Sequence, residues 1–398
     1  MGLNINKHIT AVQASPTMAL LSKIVEYKQK GIDVIALNVG EPDFTTPQNI
    51  INAIKTALDE GKTKYLPVQG LPELRALIAQ KLQNDNNLNY SADQIIVCTG
   101  AKQALFNLNM LLLNESDEII IPGPCWASYI DTAIAVGAVP VVVKTKQDWQ
   151  LDITAIEQAI TEKTKALIIN SPNNPTGAVY QREELEKIAA LAIKHQFYVI
   201  SDEVYEKLIF DGVKHESIGS FNEEIAKLTI TVNGFSKAYA MTGLRIGYAA
   251  LPNDYLAAKF IDLHTHITSN STSVIQYGAI EALQGDQSSI DNMAHEFKER
   301  RDLCLKLLST IKDIEIVKAQ GAFYLMLKVD KYFHKKYGAY EIKNADDLSM
   351  YLLEEAHVAI ISGTSFAAKD YLRLAYSNSK ANLCKAIEAM KLALEKLY

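Results

Sequence analysis

A chain of 398 residues with 48% apolar and 22% charged side chains can bury a large core, and its length points to two or three compact lobes. The formal net charge of -6 is small for this size and the basic residues are scattered, which argues against a nucleic-acid or polybasic membrane surface and leaves small charged metabolites as the expected partners. Cys98, Cys125, Cys304 and Cys384 lie far apart, with neither zinc-site spacing nor disulfide-scaffold density, so no metal is expected and a reducing cytoplasm is.

The start, Met1 to His8, has no apolar signal core, and no apolar run is long enough to span a bilayer, so a soluble, unprocessed chain is expected. From about residue 50 to residue 250, short β-rich runs alternate with helical patterns. Gln94 to Cys98, Glu118 to Ile121, Val139 to Val143, Ala166 to Ile169, Tyr198 to Ser201 and Leu228 to Val232 read as buried strands. Such alternation predicts an α/β fold with a mostly parallel sheet covered by helices on both faces. Beyond about residue 290 the texture changes to a long charged helix, Met293 to Ile311, a strand from Phe323 to Val329 and a last helix from Lys380, which predicts a smaller α+β lobe joined by the N-terminal segment. The expected division is residues 1–47, 48–290 and 291–398, with the first and last parts forming one domain.

In parallel sheets the functional groups lie just past the carboxyl ends of the strands. After the first run comes Thr99-Gly100-Ala101-Lys102-Gln103, a tight turn into a helix whose free backbone N–H groups suit a phosphate, although alone it reads as an ordinary helix start. Ser171-Pro172-Asn173-Asn174-Pro175-Thr176-Gly177 follows another strand, and its prolines and glycine can hold a side-chain amide rigidly against a ligand. Asp202 ends the run Tyr198-Val199-Ile200-Ser201, where a carboxylate needs a cationic partner; a helix cap or surface ion pair is the plain alternative. Lys237 follows Thr231-Val232-Asn233-Gly234-Phe235-Ser236, with Ser236 and Arg245 nearby as donors suited to a phosphate dianion. A lysine with a lowered pKa can form a Schiff base.

Taken in order, these segments resemble the class I aminotransferases, the fold-type I pyridoxal-phosphate enzymes related to aspartate aminotransferase. The likeness extends from Leu37-Asn38-Val39-Gly40-Glu41-Pro42 and Tyr65-Leu66-Pro67 to Tyr371-Leu372-Arg373-Leu374. It implies a seven-stranded sheet, a homodimer and pyridoxal 5'-phosphate as cofactor. It further implies that Lys237 bonds the cofactor and moves a proton, that Asp202 keeps the ring nitrogen protonated, and that Tyr205 and Asn174 bond the ring oxygen while Trp126 stacks on the ring. The phosphate would fall to Gly100, Ala101, Lys102, Ser236 and Arg245, with Tyr65 from a second subunit. The α-carboxylate of the amino acid or 2-oxo acid substrate would fall to Arg373, assisted by Gly40, Asn174 and Trp126.

The best-known aspartate aminotransferases bind the distal carboxylate with an arginine of the partner subunit, an arrangement not found here. Lys102, with Ser15 and Thr17 in the N-terminal segment, instead resembles a bacterial subgroup that uses a lysine. The expected activity is therefore transamination of aspartate or glutamate with 2-oxoglutarate or oxaloacetate. Aromatic, alanine, kynurenine or prephenate-type transamination and carbon–sulfur lysis are the alternatives on the same fold. A regulator with an aminotransferase-like half would need a DNA-reading domain for which the chain leaves no room. A nicotinamide enzyme would need a Gly-x-Gly-x-x-Gly after a strand, and none is present.

Overall fold

The computed structural model describes residues 5–12 and 17–398. All six strands read from the sequence between about residues 50 and 250 form: Ile95–Cys98 (β1), Glu118–Gly123 (β2), Val139–Lys144 (β3), Thr164–Asn170 (β4), Tyr198–Asp202 (β5) and Thr229–Gly234 (β6). A seventh, Gly247–Ala250 (β7), completes one sheet in the order β1-β7-β6-β5-β4-β2-β3. The residue pattern does not mark β7, because Gly247-Tyr248-Ala249-Ala250 is short and has no β-branched side chain. Pairing is parallel between β2 and β3, β2 and β4, β4 and β5, and β5 and β6, whereas β7 runs antiparallel to both its neighbours.

Successive side chains along each strand leave on opposite faces, and helices bury both. Ile96, Ile121, Ile168 and Val232 meet Leu105 and Leu108 of the helix Ala101–Leu112. On the other face, Ile120, Leu167 and Val199 meet Leu185 and Ile188 of the helix Arg182–His195. Ile95 and Val97 meet Leu74, Ile78 and Leu82 of the helix Pro72–Asn86. Burying each such aliphatic chain contributes about 1.5–3 kcal/mol, so the sheet is the rigid base on which its edge loops stand.

A second sheet is antiparallel, built from Glu315–Ile316 (β8), Tyr324–Lys328 (β9), Ile361–Ser362 (β10) and Tyr371–Ala375 (β11) in the order β10-β11-β9-β8. The long helix expected over 293–311 runs Ser288–Leu308 instead. Its first turn forms early because Asp286 accepts from the Ser288 backbone N–H at 3.0 Å. It ends early because the Ile311 N–H turns back to the Leu308 carbonyl, 3.0 Å away, closing a tighter turn. The last helix, Lys380–Glu395, starts where expected, capped by Ser379. Near the N-terminus Ile35–Ala36 pairs with Val358–Ala359, and the Leu37 carbonyl accepts from Ala375 at 2.8 Å, which ties the Gly40 segment to β11.

Between the helix Pro72–Asn86 and the segment after β5, the ligand atoms of Glu203, Glu206 and His215 lie within 4.8 Å of one another. Lys81 pairs with Glu206, so a side-chain cation already sits in the cluster. Asn86 donates to Glu206 at 2.6 Å, and His215 Nε2 stands 3.1 Å from Glu203. Burial opposes charge on His215, but Glu203 and Glu206 outweigh it and raise its pKa above the usual 6.5. A histidine raised on folding adds stability that is complete below its unfolded pKa and is lost as pH rises through the folded one. Replacing His215 by glutamine is thus expected to lower thermal stability at mildly acidic pH and to flatten its decline at higher pH. Melting temperature against pH checks this, and an unchanged profile would count against a charged His215.

Candidate active site

Because β1, β2, β4, β5 and β6 point the same way, the loops that follow them all open on one edge of the sheet. β7 runs oppositely, so the residues before its start, Arg245 among them, reach that same edge. A cavity of about 390 Å³ lies there. Ala101, Lys102, Trp126, Asn174, Asp202, Tyr205, Ser236, Lys237 and Arg245 line it from the large sheet, and Gly40 and Arg373 from the other side. Gly100 stands one residue behind the lining. Tyr65 lies outside this cavity, 89% exposed, between the helices Gln48–Asp59 and Pro72–Asn86. Ser15 lies outside the described residues, and for Thr17 only its backbone place at the head of the helix Thr17–Gln29 is described.

The turn after β1 depends on glycine. Gly100 has φ +78°, and a Cβ there would come 2.4 Å from Arg245 Nη2. A Cβ on Gly247 would stand 2.6 Å from the Ala101 backbone nitrogen, so the helix start rests directly on β7. The first N–H groups of Ala101–Leu112 have no partner within the helix and face the cavity edge beside Arg245 and Ser236. Arg245 itself is held by a bond to the Thr242 carbonyl at 2.8 Å.

The loop after β4 is fixed by its own side chains. Asn170 accepts from the Asn174 amide at 2.8 Å, and Asn173 accepts from the Thr176 amide at 3.1 Å and hydroxyl at 2.9 Å. Asn174 is thereby presented to Arg373, whose Nη1 lies 3.2 Å from its Oδ1. Arg373 Nη2 donates to the Asn38 carbonyl at 2.8 Å, and the guanidinium lies between the rings of Tyr324 and Phe366, 4.6 Å from each. It is 4% exposed, and its Nε is buried without a hydrogen-bond partner.

The Lys237 amine donates to the Gly40 carbonyl at 2.6 Å. Burial pulls it down to about 8, against the opposing pull of Glu41 and with the help of Arg373 and Arg245. Burial likewise pushes the Asp202 carboxyl up to about 6, although bonds from the Tyr129 hydroxyl and the Val204 amide pull it back. Tyr205 donates to or accepts from Tyr324 at 2.9 Å. Lys102 Nζ sits 4.6 Å over the Trp126 ring, its pKa lowered by burial and by Arg245.

Sequence reasoning missed Tyr129, Tyr324 and Phe366, all of which line the cavity. Tyr129 had a usable signal: it stands three residues after Trp126 in a helix start, and i, i+3 side chains share a face. Tyr324 and Phe366 had none, because only the packing of the second sheet brings them here.

The family model described as aminotransferase class I and II matches residues 32–390. A probable aspartate/prephenate aminotransferase of Aquifex aeolicus (strain VF5) is 43% identical over 393 residues, covering 98% of each chain. An aspartate aminotransferase of Bacillus sp. (strain YM-2) is 45% identical over 382 residues, 96% of each. Among solved structures, the aspartate aminotransferase from Thermus thermophilus with maleate superposes with a TM-score of 0.92 at 38% identity, over 98% of this chain and 100% of that one. With the match extending through nearly the whole chain, and with the same fold, this protein belongs to the class I and II aminotransferases.

Proposed function

We propose that this aminotransferase holds pyridoxal 5'-phosphate in the cavity and exchanges amino groups between aspartate or glutamate and 2-oxoglutarate or oxaloacetate in a ping-pong cycle. The observation that carries this reading is the meeting of a half-buried amine brought down to about 8, a buried carboxylate and a buried arginine in one cavity. The residues fit the cofactor: the glycine-lined helix start beside Arg245 is shaped for a dianion, and the unpartnered Nε of Arg373 leaves that guanidinium with donor capacity.

When bound, the cofactor supplies an electron sink for the pair left on the substrate Cα. Lys237, with a large neutral fraction near pH 8, would hold the cofactor and would move the proton at that carbon. Asp202 offers its carboxylate to a protonated ring nitrogen. Tyr205 and Asn174 donate to the ring oxygen, and Trp126 covers the ring. Gly100, Ala101, Lys102, Ser236 and Arg245 hold the phosphate. Arg373, with Gly40, Asn174 and Trp126, receives the α-carboxylate. A homodimer belongs to the same proposal, with Tyr65 of a second copy completing the phosphate grip; the exposure of Tyr65 supports it. A cytoplasmic location, a cofactor-binding domain over residues 48–290 and a smaller domain from 1–47 and 291–398 are further parts of the same proposal. Among the described residues no helix is long and apolar enough to cross a membrane.

Lys102 is the proposed selector of dicarboxylates. Its amine lines the cavity over Trp126, and the Thermus thermophilus aspartate aminotransferase has been solved with maleate, itself a dicarboxylate. A hydrogen bond to a charged group is worth about 1.5–3 kcal/mol, so Lys102→Gln is expected to raise KM for aspartate on the order of 10- to 100-fold. KM for an apolar amino acid should stay unchanged; equal effects on both would remove Lys102 from this role.

The reading as a whole is tested by an absorbance titration of the purified protein with aspartate, glutamate, alanine and an aromatic amino acid in turn. Loss of the visible band of lysine-bound cofactor with the two acidic amino acids supports it. No such band after cofactor is added would overturn it, and a response to aromatic or apolar amino acids alone would discard the dicarboxylate part. The Aquifex relative is named for prephenate as well, so prephenate is included as an acceptor.

A further inference from the structure

We propose that Tyr129 is a positioning residue whose hydroxyl holds Asp202 ionised and aimed at the cofactor's ring nitrogen. This rests on the proposed cofactor site and adds to it a residue that touches neither cofactor nor substrate in the role given. Tyr129 and Asp202 are each 3% exposed, and the phenol donates to Asp202 Oδ2 at 2.6 Å, a length typical of a charge-assisted bond. Among the described residues the other oxygen, Oδ1, accepts only the longer bond from the Val204 amide at 3.3 Å. Among the described residues no lysine, arginine or histidine forms an ion pair with Asp202, so its strongest partner in the chain is a neutral phenol.

That choice of donor has a chemical consequence. An arginine or lysine on Asp202 would neutralise the carboxylate and compete with a cationic ring N–H. A phenol keeps the negative charge in place, satisfies one oxygen and leaves lone pairs free for the incoming cation. The placement is also rigid: Tyr129 lies in the first turn of the helix Ala127–Ala135, and Trp126, at the head of that helix, meets it edge to face at 5.4 Å. One helix start thus carries both the ring that covers the cofactor and the hydroxyl that steadies its carboxylate.

The charged and titratable groups around the pair are few. Glu203 and Tyr205 come from Asp202's own segment, Lys237 from the loop after β6, and Cys125 from the loop before the helix, facing Tyr129. Glu203 pushes the Asp202 carboxyl up and Lys237 pulls it down. Removing the phenol O–H therefore leaves burial less opposed, and Asp202 takes up a proton at higher pH than its present value of about 6. A protonated Asp202 must lose that proton before it can meet a ring N–H, so cofactor affinity should fall as pH falls.

The test is an equilibrium titration of the cofactor-free protein with pyridoxal 5'-phosphate, followed by fluorescence and visible absorbance from pH 5.5 to 8.5, for wild type and Tyr129→Phe. With wild-type binding established, the variant is expected to bind about tenfold more weakly at the acidic end, with the deficit shrinking toward the alkaline end. A deficit equal at every pH, or none, overturns the proposal and leaves Tyr129 as packing. If the phenylalanine variant does not fold, Tyr129→His keeps an N–H donor and carries the test: a wild-type pH dependence supports the proposal and a uniform loss overturns it. Failure of the wild type to bind the cofactor at any pH would instead refute the proposed site itself.

Discussion

Lys237→Ala is expected to lower amino-group transfer at least about 10⁴-fold, while leaving the fold and the cavity in place. The lysine is asked to do two things: to bond the cofactor covalently and to carry the proton at the substrate Cα. Lys102, the other lysine lining the cavity, sits over the Trp126 ring, whereas the Lys237 amine donates to the Gly40 carbonyl. The variant should lose the visible band of lysine-bound cofactor yet retain measurable phosphate-anchored binding through the turn at Gly100 and Arg245. Single-turnover absorbance and steady-state transamination with aspartate and 2-oxoglutarate measure the two effects separately. A variant that kept more than a hundredth of the wild-type rate would remove Lys237 from the chemistry. The pH dependence carries a sign as well: the lysine is lowered to about 8, so in the cofactor-free protein its reactive, neutral form grows as pH rises through that value.

Arg373→Leu should have the next largest effect, a fall in kcat/KM on the order of 10²- to 10⁴-fold for every amino acid substrate. Every substrate carries the α-carboxylate, so the loss should not discriminate between aspartate and alanine, in contrast with Lys102→Gln. The buried guanidinium makes hydrogen bonds to the Asn174 side chain and the Asn38 carbonyl but leaves Nε unpaired between two aromatic rings. A leucine there removes a buried charge and keeps apolar contact with Tyr324 and Phe366, so the free protein should melt no lower than wild type. A lower melting temperature together with unchanged kcat/KM would show that Arg373 serves the fold and not the substrate.

The two variants probe different parts of the chain, and the parts differ in how far sequence reading reached them. The six strands of the large sheet were legible because parallel strands buried on both faces appear as apolar runs, and each site loop stood just past one of them. Asp202, Asn174, Lys237 and the turn at Gly100 could be marked for that reason. Parallel pairing aligned the loops after β4, β5 and β6 on a single edge, and the turn at Gly100 joins them because β7 runs antiparallel to both β1 and β6.

What the sequence by itself determined was therefore the sheet, the order of its loops and the identity of the chemical groups they carry, because strand periodicity and turn chemistry are local. The tertiary structure decided the rest. It placed the unmarked strand β7 antiparallel, which turns Arg245 toward the same edge, and it brought Gly40 and Arg373 across from opposite ends of the chain through the Leu37 and β11 contact. It also set the charge states: Lys237 near 8 and Asp202 near 6 follow from burial and from neighbours such as Tyr129 and Arg373 that lie far away in sequence. Desolvation and charge–charge interaction depend on distance in space, which local pattern does not contain.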